Sequence, residues 1–153
     1  MEPRLAYDKA APGAFQAMLG LEKYLHGCGL EPALIHMVKL RASQINGCAY
    51  CIDMHWKDAR ALGESEMRLY SLDAWHESPC YSDRERAALE WTEALTNISE
   101  THAEDAIFEQ VRPHFTDKEL ADLTFLIAAI NAWNRIAISM RSVPGVYQAT
   151  KHK

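Results

Sequence analysis

Apolar residues recur at helical spacing along most of the chain, and no stretch alternates apolar and polar residues as a half-buried strand would. Phe15, Met18, Leu19 and Leu25 mark one face of a helix that begins near Pro12. It should stop in "HGCGLEP", where Gly27 and Gly29 are breakers and Pro32 suits the first turn of the next helix. That second helix, from Pro32 to Gln44, places Leu34, Ile35, Val38 and Ala42 on one side, and Asn46-Gly47 ends it. A third runs from about Cys48 to Leu62, with Gly63 as its C-terminal stop. A short helix is expected around Glu64 to Leu72, then a loop, "DAWHESPCYSDRE".

Ser82 and Glu85 form a capping-box pattern that opens a helix through about Asn97, with Ala88, Leu89, Trp91, Thr92 and Leu95 as a broad stripe. A helix from about Ala103 to Val111 should end before Pro113. Thr116 and Glu119 repeat the capping pattern and open the last helix, to about Arg141. It is apolar on nearly every side, so it should be central or lie in a subunit interface. Asp122, Asn131, Asn134 and Arg135 interrupt it; it reads as too short and too broken for a membrane span of about 20 apolar residues. Internal hydrogen bonding is the expected role of Asn131, Asn134 and Arg135. With no repeat or linker, the expectation is one all-α domain over residues 1–153, a bundle of about six to seven helices.

Composition narrows the function. An apolar fraction of 48% and a charged fraction of 24% suit a soluble globular protein. The net charge of −5 argues against nucleic acid as a partner, because phosphate binding needs a basic surface. The N-terminal "MEPRLAYDKAAPGAF" has no apolar core of a secretory signal, so a cytoplasmic location is expected. In that reducing compartment a close cysteine pair is usually catalytic or metal-binding.

Such a pair stands in "SQINGCAYCIDMHWKDA". On a helix, Cys51 and His55 lie one turn apart on one face, and Cys48 precedes both on the same stripe. A helix N-terminus and a nearby imidazole lower a thiol pKa from ~8.5 into the range ~3.5–7.5. A thiolate there can attack a peroxide, and a second thiol can condense with the sulfenic acid to a disulfide. Three other readings use the same residues. A thioredoxin-like site needs a βαβ pattern that is absent. A zinc site would join Cys48, Cys51 and His55 to a fourth ligand from Cys28, Cys80, His26 or His76, none of which forms a second close pair. The cysteines could also be plain buried residues. The redox reading is preferred, with no metal ligand set and no bound cofactor assigned. Tyr50 and the tryptophans Trp56, Trp75, Trp91 and Trp133 read as packing residues, and Cys28 and Cys80 as structural.

"IHMVKLRASQINGCAYCIDMHWKDARALG" resembles the core of the alkyl hydroperoxidase D (AhpD)-like proteins of the carboxymuconolactone decarboxylase superfamily. "DRERAALEWTEALT" and "LTFLIAAINAWNRIAISMR" extend the resemblance over about residues 15–141. The resemblance implies an all-α, AhpD-like fold, a homo-oligomer built from trimers or hexamers, and a thiol-dependent peroxidase recycled by an external dithiol or lipoyl-type reductant. It implies Cys51 as the peroxidatic cysteine, Cys48 as the resolving one and His55 in a proton relay. Helix position alone favours Cys48 as the thiolate. The family has a glutamate twelve residues before the first cysteine, and here that position is His36. His36 is itself a candidate relay member or a structural histidine, and a carboxylate for the relay would have to come from elsewhere, with Glu90 and Glu93 as candidates. Two alternatives stay open: a redox-sensing or scaffold oligomer whose cysteine pair switches state, and a lactone decarboxylase, which would not need the pair.

Overall fold

The computed structural model describes residues 2–149. Among them there is no strand, and the chain is a single all-α domain. The helices are α1 (Tyr7–Ala10), α2 (Pro12–His26), α3 (Pro32–Asn46), α4 (Ala49–Ala61), α5 (Glu66–Tyr70), α6 (Asp83–Thr96), α7 (Ile98–Thr101), α8 (Asp105–Val111) and α9 (Asp117–Met140). Short 3-10 turns at Leu72–Ala74 and Arg112–His114 complete the set.

Helix starts agree closely with the sequence signals. The Ser82 and Thr116 capping boxes are both formed, with side chain and backbone satisfied reciprocally. Pro12 and Pro32 occupy first turns, where a missing N–H costs nothing. Four details differ from expectation. The turns of helix at α1 and α7 carry too few residues to show a period. The helix expected from Ala103 starts at Asp105, because His102 and Ala103 take positive φ of 51° and 49°. The "DAWHESPCYSDRE" loop is not a surface loop throughout: Trp75 and Tyr81 are buried. The α2 stripe is weaker than its spacing suggests, since Leu25 alone is buried and Leu19 is exposed.

The central helix is α3. It packs against α4, α6 and α9, and nine of its residues are buried, including His36, Lys39 and Ser43. Those polar residues made the sequence look half-exposed. The α9 helix buries Leu123, Leu126, Ile127 and Ile130 but leaves Phe125 and Ile138 exposed. It is also 24 residues long and, by length and composition, apolar enough to cross a membrane. The expectation that it is too short and too broken for a span is therefore corrected. The helix runs through its interruptions because neighbouring protein groups answer them. Asp122 accepts from Tyr24 and Lys118, and Asn131 and Asn134 bond to α3 and α6.

The junction between α3 and α4 positions the cysteines. Gly47 takes φ 68° and ψ 33°. The Gly47 N–H donates to the Gln44 carbonyl at 3.1 Å and the Cys48 N–H to the Ser43 carbonyl at 2.9 Å. This is a Schellman stop, and it satisfies two of the carbonyls a helix end leaves free. Cys48 thereby closes α3 and serves as the N-cap residue of α4.

Opposite signs are expected from two glycine substitutions. Gly47→Ala must hold a Cβ in left-handed backbone and should lose about 1–2 kcal/mol. Gly20→Ala, in exposed helix with open space at the added methyl, should gain about 0.5–1 kcal/mol. Urea unfolding of both variants checks the pair.

Candidate active site

The two sulfurs of Cys48 and Cys51 lie 2.7 Å apart. Both cysteines are reduced and buried, each 1% exposed. The proton between them is not shared evenly. Cys48 is lowered to about 7, first by the hydrogen bond from the Cys51 thiol. The Cys51 and Tyr50 backbone N–H groups and the Asn134 amide assist, and together they outweigh burial. Cys51 is pushed well above an ordinary thiol by its bond to Cys48, by burial and by the Cys48 charge. The pair therefore acquires one negative charge as pH rises through about 7, centred on Cys48 at the helix N-terminus. Access runs the other way: Cys51, not Cys48, lines a cavity of about 360 Å³.

The cavity has an apolar side, with Phe15, Leu19 and Trp133, and a polar wall. Three charged residues on that wall, Glu22, Lys39 and Asp58, escaped the sequence reading. Lys39 is 2% exposed, and its Nζ lies 2.5 Å from Glu22 Oε2. Glu22 Oε1 accepts from Trp133 Nε1 at 2.9 Å. Removing one member of a buried ion pair strands the other charge and costs about 3–5 kcal/mol, so the wall depends on both. A signal for Lys39 was present: His36, Lys39 and Ser43 fall three and four residues apart, a polar stripe along a helix that is otherwise core.

His55 is 4% exposed and His36 8%. Their rings are 5.7 Å apart, so the residue at the expected glutamate position does stand beside the histidine. Burial drives His55 well below the ordinary imidazole range and holds His36 at about 4. Both are neutral at pH 7. Neither Nδ1 makes a hydrogen bond within the described protein. Asp58, one turn beyond His55 on α4, places Oδ2 3.9 Å from each of those nitrogens. Its Oδ1 accepts from the Tyr147 hydroxyl at 2.7 Å.

Asp58 is the carboxylate nearest the two histidines, and Glu90 and Glu93 are not brought to them. Glu93 is bound by Arg41 at 2.8 Å and by Trp75 Nε1 at 2.7 Å. Glu90 lines a separate cavity beside Gln110 and His114. Both lie on α6, and neither lines the cavity that holds His36 and His55. Cys28 and Cys80 pack in two other apolar clusters, apart from Cys48 and Cys51. Tyr50 and Trp133 are half-buried on the cavity wall, Trp75 and Trp91 are core, and Trp56 is exposed.

A model of the carboxymuconolactone decarboxylase family matches residues 12–94. The uncharacterised protein YdfG of Bacillus subtilis is 42% identical over 140 residues, which is 92% of this chain and 95% of that one. The uncharacterised protein YnjA of Escherichia coli is 33% identical over 72% of this chain and 60% of its own length. A crystal structure from Agrobacterium tumefaciens superposes with a TM-score of 0.92 at 49% identity, covering 95% of this chain and 100% of that one. It is described as a protein of unknown function with a suggested antioxidant-defence role as AhpD. The debrominase Bmp8 shares the fold at 20% identity and a TM-score of 0.78, over 90% of this chain and 74% of that one.

Thiolate absorbance against pH should show one thiolate per reduced chain, forming as pH rises through about 7. Cys48→Ser should abolish that step. Cys51→Ser should move it up toward the ordinary thiol value of about 8.5. A wild-type titration without a step below pH 8 would contradict the shared proton.

Proposed function

The chain belongs to the carboxymuconolactone decarboxylase family, as an AhpD-like member, and on that footing we propose that it is a thiol-dependent peroxidase acting on hydrogen peroxide or organic hydroperoxides. The observation that carries this reading is the pair of reduced sulfurs 2.7 Å apart, one of them on the wall of a cavity with an apolar side. Relatives of this fold include enzymes, which supports an enzymatic role.

In the proposed cycle the Cys51 proton passes to the Cys48 thiolate. The higher-pKa sulfur, once deprotonated, is the stronger nucleophile, and Cys51 is the one that faces the cavity. Its thiolate attacks the terminal oxygen of ROOH, the O–O bond breaks, and Cys51 becomes a sulfenic acid. The departing alkoxide takes up one proton, relayed through His55 beside the Lys39 ammonium, and leaves as ROH. The Cys48 thiol then attacks the sulfenic sulfur, releasing water and forming the Cys48–Cys51 disulfide. An external dithiol, of lipoyl type, reduces it by exchange and returns two thiols. The net reaction is ROOH plus dithiol to ROH, water and disulfide.

Burial of both sulfurs to 1% supports a second reading, a redox-sensing or scaffold oligomer whose pair cycles slowly. In either reading the cytoplasm would keep the four cysteines reduced. The homo-oligomer, trimer or hexamer, that the family resemblance implies would be sized by sedimentation equilibrium.

Cys48→Ser and Cys51→Ser should each lose peroxide turnover with dihydrolipoamide, while circular dichroism stays helical. A sulfenic-acid trap should label Cys51 in the Cys48→Ser protein, read by mass spectrometry. Full activity in both variants sinks the proposal, and a pair that cycles with dithiol but meets peroxide no faster than free cysteine favours the second reading.

A further inference from the structure

His36, His55 and Asp58 form a cluster whose chemistry the dithiol cycle does not use up. One donor atom from each lies within 4.8 Å of the others. Asp58 Oδ2 is 3.9 Å from each Nδ1, too long for a hydrogen bond. Both Nδ1 atoms are buried and make no bond within the described protein. A buried ring nitrogen without a partner is rare, and two that face one carboxylate oxygen are rarer.

From this geometry we infer that His36, His55 and Asp58 are a binding site for a divalent transition-metal ion of the zinc class. An ion with bonds of about 2.0–2.1 Å holds tetrahedral ligand atoms roughly 3.3 Å apart, so each 3.9 Å pair need close by only about half an ångström. Two imidazoles and a carboxylate suit zinc, iron, nickel or cobalt, and three protein ligands leave a coordination position open. The outer partner is in place as well. The Tyr147 hydroxyl holds Asp58 Oδ1 at 2.7 Å and leaves Oδ2 for the ion. The site has a way in, because His36 and Asp58 line both the cavity of about 360 Å³ and a second of about 500 Å³. The nearby Lys39 ammonium is paired with Glu22 Oε2 at 2.5 Å, which offsets part of its charge toward a bound cation. The proposed ligand set departs from the expectation of no metal and differs from the Cys48, Cys51 and His55 set weighed from sequence. His55 is common to this site and to the proposed proton relay, but the binding inference does not rest on peroxidase activity.

Co²⁺ is the probe, added both to the reduced protein and to the Cys48→Ser/Cys51→Ser protein, so that the dithiol cannot account for binding. The doubly substituted protein should take up one equivalent with visible d–d bands and no thiolate-to-cobalt charge transfer. Adding His36→Gln or Asp58→Asn should weaken binding by more than the roughly 10–100-fold that loss of an outer partner costs. No saturable uptake without Cys48 and Cys51, or uptake indifferent to both substitutions, overturns the site. Pulsed EPR of bound Cu²⁺ guards against a variant that fails to fold, because it counts imidazoles with both histidines intact. Two bound imidazoles support the site, and one or none overturns it. These readouts are independent of peroxide turnover, so either proposal can fail alone.

Discussion

The amide network around Asn134 is the constraint on which the rest depends. Asn134 is fully buried; its Nδ2 donates to Ser43 Oγ at 3.0 Å and its Oδ1 accepts from Asn46 Nδ2 at 2.9 Å. Asn46 also donates to Asn131 Oδ1, and Asn131 reaches Thr96 on α6. Each of these groups, if left unpaired in the core, would cost about 1–3 kcal/mol. The bonds therefore fix the end of α3 against α9 and α6 to within hydrogen-bond tolerance. The Gly47 stop and then Cys48 come directly after that anchored end. The register of α4, the separation of the sulfurs and the Asn134 dipole on Cys48 are all inherited from the anchor.

Most of the fold was legible because its signals are local. Capping boxes, first-turn prolines and a glycine stop need only a few consecutive residues, and here local chemistry and tertiary packing agree. Burial was less legible. Lys39 and Arg41 fall on different sides of α3, and partners from distant segments hold both. Glu22 on α2 takes Lys39, and Asp73 and Glu93 take Arg41. A sequence pattern records which residues share a face but not what comes to meet it. The same limit applies to the relay carboxylate expected on α6. Glu90 and Glu93 stood out in a resembling segment, while Asp58, one turn beyond His55, looked like ordinary helix surface. Its role appears once His36 on α3 is packed against α4, and once Tyr147 folds back onto α4.

Charge in the polar wall is managed by position. The ammonium of Lys39 has its own carboxylate, and the thiolate has helix dipole and amide donors. The two histidines have neither, and burial keeps them neutral. A protonated imidazole beside Lys39 would add like charge in a low-dielectric wall, which is unfavourable. Neutral rings avoid that cost and retain a lone pair each.

The histidine at position 36 then changes meaning. A glutamate there would place a negative charge against His55 and raise its affinity for a proton. An imidazole cannot do that, and its presence beside Lys39 works in the opposite direction. The carboxylate that remains, Asp58, is 3.9 Å from both rings and is held from behind by Tyr147, so it sits between them without committing to either. An arrangement selected purely to charge His55 would close one of those gaps into a hydrogen bond. One that leaves both open at equal distance is better matched to a third party between the rings, a proton-carrying water or a cation.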